Sequence, residues 1–242
     1  MNQQYEKYTA TDQAMWQTLF ERQMAQLPQI ASAAYLEGIE KVGFKATHIP
    51  NFEMETNPRL RALTGWEVQV VPGLIPQKTF FELLAARKFP ASTWLRQPDQ
   101  LDYLEEPDMF HDTFGHIPLL TNQSFCDFVE ELSRIALRFI EVPEAIEQIS
   151  RLYWYTVEFG LIKEENRLKI YGGGILSSAG ESAHCLRPDI TKIPFDAATV
   201  LNTPFYIDRY QAHYFVIDSY EQLYHSTPEI QELLQQEFMS LV

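Results

Sequence analysis

The sequence predicts a mainly α-helical fold with a minor sheet, an α+β arrangement in a single domain. Helical hydrophobic periodicity recurs along the chain and is clearest over 124–142. Strand-like runs are few and short, at 66–71, 167–172 and 214–217. The 242 residues contain no internal repeat, low-complexity tract or Gly/Ser linker. They fit one domain over 1–242.

The elements follow in order. Asp12 can cap a first helix that carries Trp16, Leu19, Phe20 and Leu27 on one side. Pro28 interrupts it, and a second stretch runs from Ile30 to Val42 and stops at Gly43. Thr79 and Glu82 have capping-box spacing, so a helix is expected there, closed by Arg87 and Lys88. Over 124–142, Phe125, Phe128, Val129, Leu132, Ile135, Ala136, Phe139 and Ile140 draw one apolar stripe. Pro143 opens another helix that should end near Gly160. Thr227 and Pro228 are expected to start the last one, which lacks sustained heptads.

Asp plus Glu is 33 against 19 Lys plus Arg, a net charge of -14. That charge repels phosphate backbones and anionic lipid, so no nucleic-acid or membrane-surface partner is expected. No apolar run approaches the roughly 18 residues of a membrane span. The N-terminus has no apolar signal-peptide core. Cys126 and Cys185 are too few for a disulfide framework and suit a reducing, cytoplasmic setting.

The segment 106–120 holds His111, Asp112 and His116. Histidines five residues apart are separated by roughly 140° on an ideal α-helix. They can still meet at one ion beside a helix end, and Gly115 and Pro118 suit a helix that stops there. The spacing differs from the HExxH pattern of zinc proteases, and two structural histidines would explain it as well. Over 153–162, a single acid, Glu158, lies in an apolar and aromatic helix. Burying its carboxylate costs several kcal/mol unless it pairs with an arginine or binds a cation. Together these residues make two imidazoles and one carboxylate. That set serves non-haem Fe(II), and by ligand count it also serves the zinc of a hydrolase.

PDMFHDTFGHIPLL (107–120), YWYTVEFGL (153–161) and YGGGILSSAGE (171–181) resemble, in that order, the pterin-dependent aromatic amino acid hydroxylases, most closely the bacterial phenylalanine 4-hydroxylases. The resemblance implies a basket-like helical domain with iron at the bottom of a deep pocket. His111, His116 and Glu158 fall on that family's Fe(2+) ligands. Tetrahydropterin would be the cofactor, O2 the co-substrate and phenylalanine the amino acid. Tryptophan, or hydroxylation at carbon 3, is the alternative within the family. Arg96 aligns with the arginine that holds the substrate carboxylate, and Asp108 would orient Arg96 or a ligand histidine. Pro107 and Trp154 align with the ring slot, and Ser177 and Glu181 with residues near the iron and the substrate backbone. For the pterin, the resemblance implies Gly73, Leu74, Ile75, the stacking Phe80, Asp112 and Tyr153. Leu104 stands where animal enzymes carry threonine. The run 171–174 lacks the spacing of a phosphate loop. His48, His184, His213 and His225 have no partner spacing and are expected to be structural. By comparison with the animal enzymes, the resemblance implies a single catalytic domain over 1–242 with no regulatory domain and no coiled-coil tetramerisation tail, a monomer served by a pterin-recycling system.

Overall fold

Helices dominate because the apolar periodicity is satisfied almost everywhere it occurs. The protein is described by a computed structural model over residues 1–101 and 106–238. Helices α1 (Ala10–Met24), α2 (Leu27–Ile30) and α3 (Ala33–Val42) form the N-terminal part. Thr9, not Asp12, caps α1. The Thr9 hydroxyl accepts from Asp12 N at 3.2 Å, and the Asp12 carboxylate accepts from Thr9 N at 2.8 Å. The reciprocal pair satisfies two free N–H groups where Asp12 alone would satisfy one. Gly43 ends α3 in the left-handed region, at φ 72°.

Next come α4 (Asn57–Leu63), β1 (Glu67–Val70), α5 (Gln77–Ala85) and β2 (Lys88–Ala91). Helix α5 starts two residues before Thr79, and Thr79 makes no cap. Pro76 leads in with a fixed φ of -56°, so the predicted capping box is not used. The basic pair lies beyond the helix. Arg87 sits at φ 58° and its guanidinium bonds Glu130 at 2.7 Å, while Lys88 opens β2.

Helix α6 (Gln123–Arg138) is capped by Asn122, whose Oδ1 accepts from Phe125 N at 3.0 Å. Its predicted stripe is buried between α5 and α11 (Tyr220–Phe238). Between them lie α7 (Pro143–Tyr153), β3 (Leu161–Glu164), β4 (Arg167–Ile170), α8 (Gly173–Leu176), α9 (Ala179–Cys185), β5 (Thr191–Pro194), α10 (Ala197–Leu201) and β6 (His213–Ile217). Helix α11 starts seven residues before Thr227, so Pro228 is internal. The Tyr224 carbonyl that Pro228 cannot serve accepts instead from the Thr227 hydroxyl at 2.8 Å.

Strands β1 and β2 pair in parallel. The other four are ordered β4-β3-β6-β5, with β3 and β4 a hairpin turned through Glu165 and Asn166 at positive φ. Strands β2, β3 and β5 have four residues each and were not anticipated, because so short a run carries no readable alternation. One contiguous apolar cluster, from Met15 to Phe238, fills the interior, with Trp16, Trp66 and Tyr35 fully buried.

Candidate active site

The candidate metal-ligating residues come from two widened helical turns. Asp108 caps a helix that begins at Met109, its Oδ1 accepting from His111 N at 3.0 Å. From His111 to His116 the helix is a π turn. Its hydrogen bonds close from i to i+5, which brings residues five apart onto one side. The two histidines therefore converge within a widened helix that continues to Thr121 and not, as expected, beside a helix end. A second π turn, Trp154–Glu158, extends α7, and Phe159 N donates to Trp154 O at 2.8 Å. Glu158 closes that turn facing the histidines.

Three ligand atoms now form a triangle. His111 Nε2 and His116 Nε2 lie 3.3 Å apart, and Glu158 Oε2 lies 3.6 Å and 3.3 Å from them. A point equidistant from all three is about 2 Å from each, the length of a metal–nitrogen or metal–oxygen bond. Ser177 fixes the tautomer of one ring. Its hydroxyl donates to Gly173 O at 2.8 Å, so its lone pair accepts from His111 Nδ1–H at 3.0 Å. The lone pair of His111 Nε2 is thereby aimed into the triangle.

The charges agree. Burial pulls the His111 imidazole down, towards the neutral form a ligand needs. Burial alone would raise the Glu158 carboxyl, but His116, His111 and the Gly174 N–H hold it below the usual carboxylate range. Burial likewise pulls His116 down, but the charge and hydrogen bond of Glu158 together with the charge of Asp112 leave it raised. A carboxylate facing two nitrogen lone pairs is a donor set for a cation. Among the described residues no other group of His, Cys, Asp and Glu has this arrangement.

The run 171–174 has a steric purpose. A Cβ on Gly172 would strike the Glu158 carbonyl, and one on Gly173 would strike the His116 ring. Glycine here lets the backbone of α8 lie directly against the ligands.

Above the triangle is a cavity of about 860 Å³. His111 and Glu158 reach its floor, and His116 lies beneath at 4% exposure. Arg96, Pro107, Trp154, Ser177, Glu181 and Leu74 line its walls. Asp108 is fully buried behind Arg96, accepting from Nε at 2.9 Å and Nη2 at 2.8 Å. It thus orients Arg96 and also caps the backbone that carries His111. Its carboxyl is held low by that guanidinium and two backbone N–H groups, against burial. Glu181 accepts from the Tyr214 hydroxyl, and burial pushes its carboxyl up.

The residues assigned to the pterin are more scattered. Only Leu74 borders the cavity, at 71% exposure. Phe80 meets Tyr153 edge-on, with centroids 5.2 Å apart. Asp112 accepts from Ser92 N at 2.7 Å, and burial raises its carboxyl. Gly73, Ile75, Phe80, Asp112 and Tyr153 do not line the cavity. Leu104 lies outside the described residues. Sequence reasoning missed Phe159, Gln23 and the 207–211 segment, all on the cavity wall. Phe159 sat inside a motif already singled out, whereas no signal marked the other two. His48, His184, His213 and His225 stay outside the triangle; His184 Nε2 bonds Gln211 O at 3.1 Å.

Residues 4–241 match the family model described as biopterin-dependent aromatic amino acid hydroxylase. The chain belongs to that family. The zinc hydrolase is thereby set aside. Among relatives of this hydroxylase is the phenylalanine-4-hydroxylase of Ralstonia nicotianae, 47% identical over 228 residues, which are 94% of this chain and 72% of the relative. The Chromobacterium violaceum phenylalanine-4-hydroxylase is 46% identical over 226 residues, covering 93% and 75%. A crystal structure of the Chromobacterium violaceum phenylalanine hydroxylase with iron(III) and 7,8-dihydrobiopterin superposes with a TM-score of 0.92 at 44% identity. That match covers 100% of this chain and 86% of the other. The mainly helical fold with minor sheets is the one shared with these hydroxylases. No helix among the described residues is long and apolar enough to cross a membrane.

Proposed function

We propose that this hydroxylase converts L-phenylalanine to L-tyrosine with O2 and a tetrahydropterin, on Fe(2+) held by His111, His116 and Glu158. The observation that carries it is the triangle of two imidazole nitrogens and one carboxylate oxygen, sized for one ion and open to a cavity on one side. The relatives named phenylalanine-4-hydroxylase support the substrate, and the solved relative with iron and dihydrobiopterin supports the cofactors. Bound iron and reduced pterin supply the activation of O2; the residues supply position and dryness.

The roles follow from the contacts. Ser177 keeps the His111 lone pair on the ion. Arg96, braced on Asp108 through Nε and Nη2 and on the Leu101 carbonyl through Nη1 at 3.4 Å, turns the Nη1–Nη2 end of its planar fork to the amino acid carboxylate. Pro107 and Trp154 enclose the ring, with Phe159 beside them, and Glu181 and Ser177 border the substrate backbone. Leu74, with Gly73 and Ile75, and the Phe80–Tyr153 pair with Asp112 make the pterin side. The unit over 1–242 acts as a single catalytic domain, a cytoplasmic monomer that depends on a separate system to regenerate reduced pterin.

Anaerobic reconstitution with Fe(II) and tetrahydrobiopterin, then O2 with phenylalanine and tryptophan in competition, tests this. Tyrosine is the expected main product. Product formed without pterin would overturn the cofactor assignment. A 3-hydroxylated ring would overturn the position, and excess hydroxytryptophan the substrate. Size-exclusion chromatography with light scattering tests the monomer.

A further inference from the structure

Residues 206–210 are all exposed, yet Gln211, next in the chain, is only 5% exposed and reaches the same cavity. Every polar group of Gln211 is used. Its Oε1 accepts from Trp154 Nε1 at 3.1 Å. Its Nε2 donates to Tyr206 O at 2.9 Å and Arg209 O at 3.3 Å. Its backbone N donates to Glu181 Oε1 at 3.4 Å, and its carbonyl accepts from His184.

Trp154 packs against two other rings. Phe205 stacks on it at 4.5 Å and 18°, and Phe159 lies tilted against it at 4.5 Å and 33°. The same indole lines the cavity. Stacking resists tilt but not sliding or rotation in the ring plane, because dispersion is non-directional along a flat face. The bond from Nε1 to Gln211 stops that in-plane movement.

We propose that Gln211 is a positioning residue for the aromatic slot. Its side-chain amide joins the edge of Trp154 to the 206–209 segment as one wall, and that wall sets the preference between one-ring and two-ring amino acids. The inference rests on the phenylalanine-hydroxylating function proposed above. It concerns a single amide with two jobs: acceptor for the indole and donor to the segment that carries Ile207 over the cavity.

Gln211→Met keeps the volume and removes both. The kcat/KM ratio of phenylalanine to tryptophan should fall about tenfold, the usual scale for a modest pocket change. In a Trp154→Phe background, which has no indole N–H, the same change should shift the ratio less than about twofold. An equal shift in both backgrounds would overturn the inference. Gln211→Glu keeps the acceptor and loses the donors. It should raise KM for phenylalanine several-fold with kcat little changed, and an unchanged KM would count against the donor role. If the methionine variant does not fold, the glutamate variant carries the test.

A readout independent of turnover uses the indole N–H resonances of the metal-free protein. Trp154→Phe identifies the signal of Trp154. That signal should move and exchange faster with water in Gln211→Met, and stay in place in Gln211→Glu. An indole signal indifferent to Gln211→Met would overturn the lock itself. A parent protein that makes no pterin-dependent tyrosine would overturn the proposed function and leave this spectroscopic test standing.

Discussion

The floor and the rim of the cavity are held by opposite means. At the floor, backbone lies on side chain with no room between: α8 presses on Glu158 and the His116 ring, and a methyl group would not fit. At the rim, Leu74 and Ile207 are 71% and 77% exposed, and the 206–210 segment is tied inward by Gln211 and by Tyr210 stacked on His184. Close packing admits one arrangement and punishes any added atom. A few hydrogen bonds on an exposed loop admit neighbouring arrangements at small cost. The contrast places what must not vary, the ion's geometry, in the packed part. On the proposal above, the choice of substrate sits in the adjustable part.

Changes at the floor should act on everything at once. His111→Ala, His116→Ala or Glu158→Ala should abolish stoichiometric iron and drop turnover to background while the fold survives. Elemental analysis beside circular dichroism checks this, and full iron in any variant would remove that residue from the ligand set. Gly173→Ala should displace the His116 ring, lower stability by about 1–3 kcal/mol and weaken iron binding. Urea unfolding with an iron titration measures both. If the alanine is absorbed without either effect, the floor is less tightly packed than the rim comparison requires.

Changes on the walls should separate one substrate from another. Arg96→Lys keeps the charge and loses the fork, so KM for the amino acid should rise by about 1.5–3 kcal/mol, the scale of a charge-assisted hydrogen bond, with the pterin KM little changed. Steady-state kinetics with each substrate varied separately decides it. Trp154→Phe should move preference towards tryptophan by a smaller factor, about tenfold, the scale of a modest change in pocket volume. Glu181→Gln should have the smallest effect on stability, visible as a change in its pH dependence. Burial raises the Glu181 carboxyl in the folded protein. The folded state therefore holds its proton more tightly than the unfolded state. Its contribution is present below the ordinary glutamate value and is lost as pH rises through the raised one. Thermal unfolding from mildly acidic to neutral pH should fall less steeply in the variant.

The same division decides what the sequence could reveal. His111, His116 and Glu158 were legible through the three motifs that resemble a known family, since spacing and composition alone also allowed two structural histidines and an acid paired with an arginine. The stripe of α6 was legible because its period repeats over several turns. The π turns were not, since an extra residue per turn leaves the same letters with a different geometry. Gln211 was illegible because its importance lies in partners 57 residues away at Trp154 and five away at Tyr206. Pro228 misled because proline usually opens a helix, and only the neighbouring Thr227 hydroxyl shows why it is tolerated inside one.

Asp108 has one further consequence. A single carboxylate grips Arg96 and caps the helix that carries His111. An amino acid that draws the guanidinium towards itself loosens that grip, and the helix cap feels the change. On the proposed roles, occupancy at the arginine and occupancy at the histidines would then be thermodynamically linked. By reciprocity, iron would alter the affinity for the amino acid by the same factor by which the amino acid alters the affinity for iron.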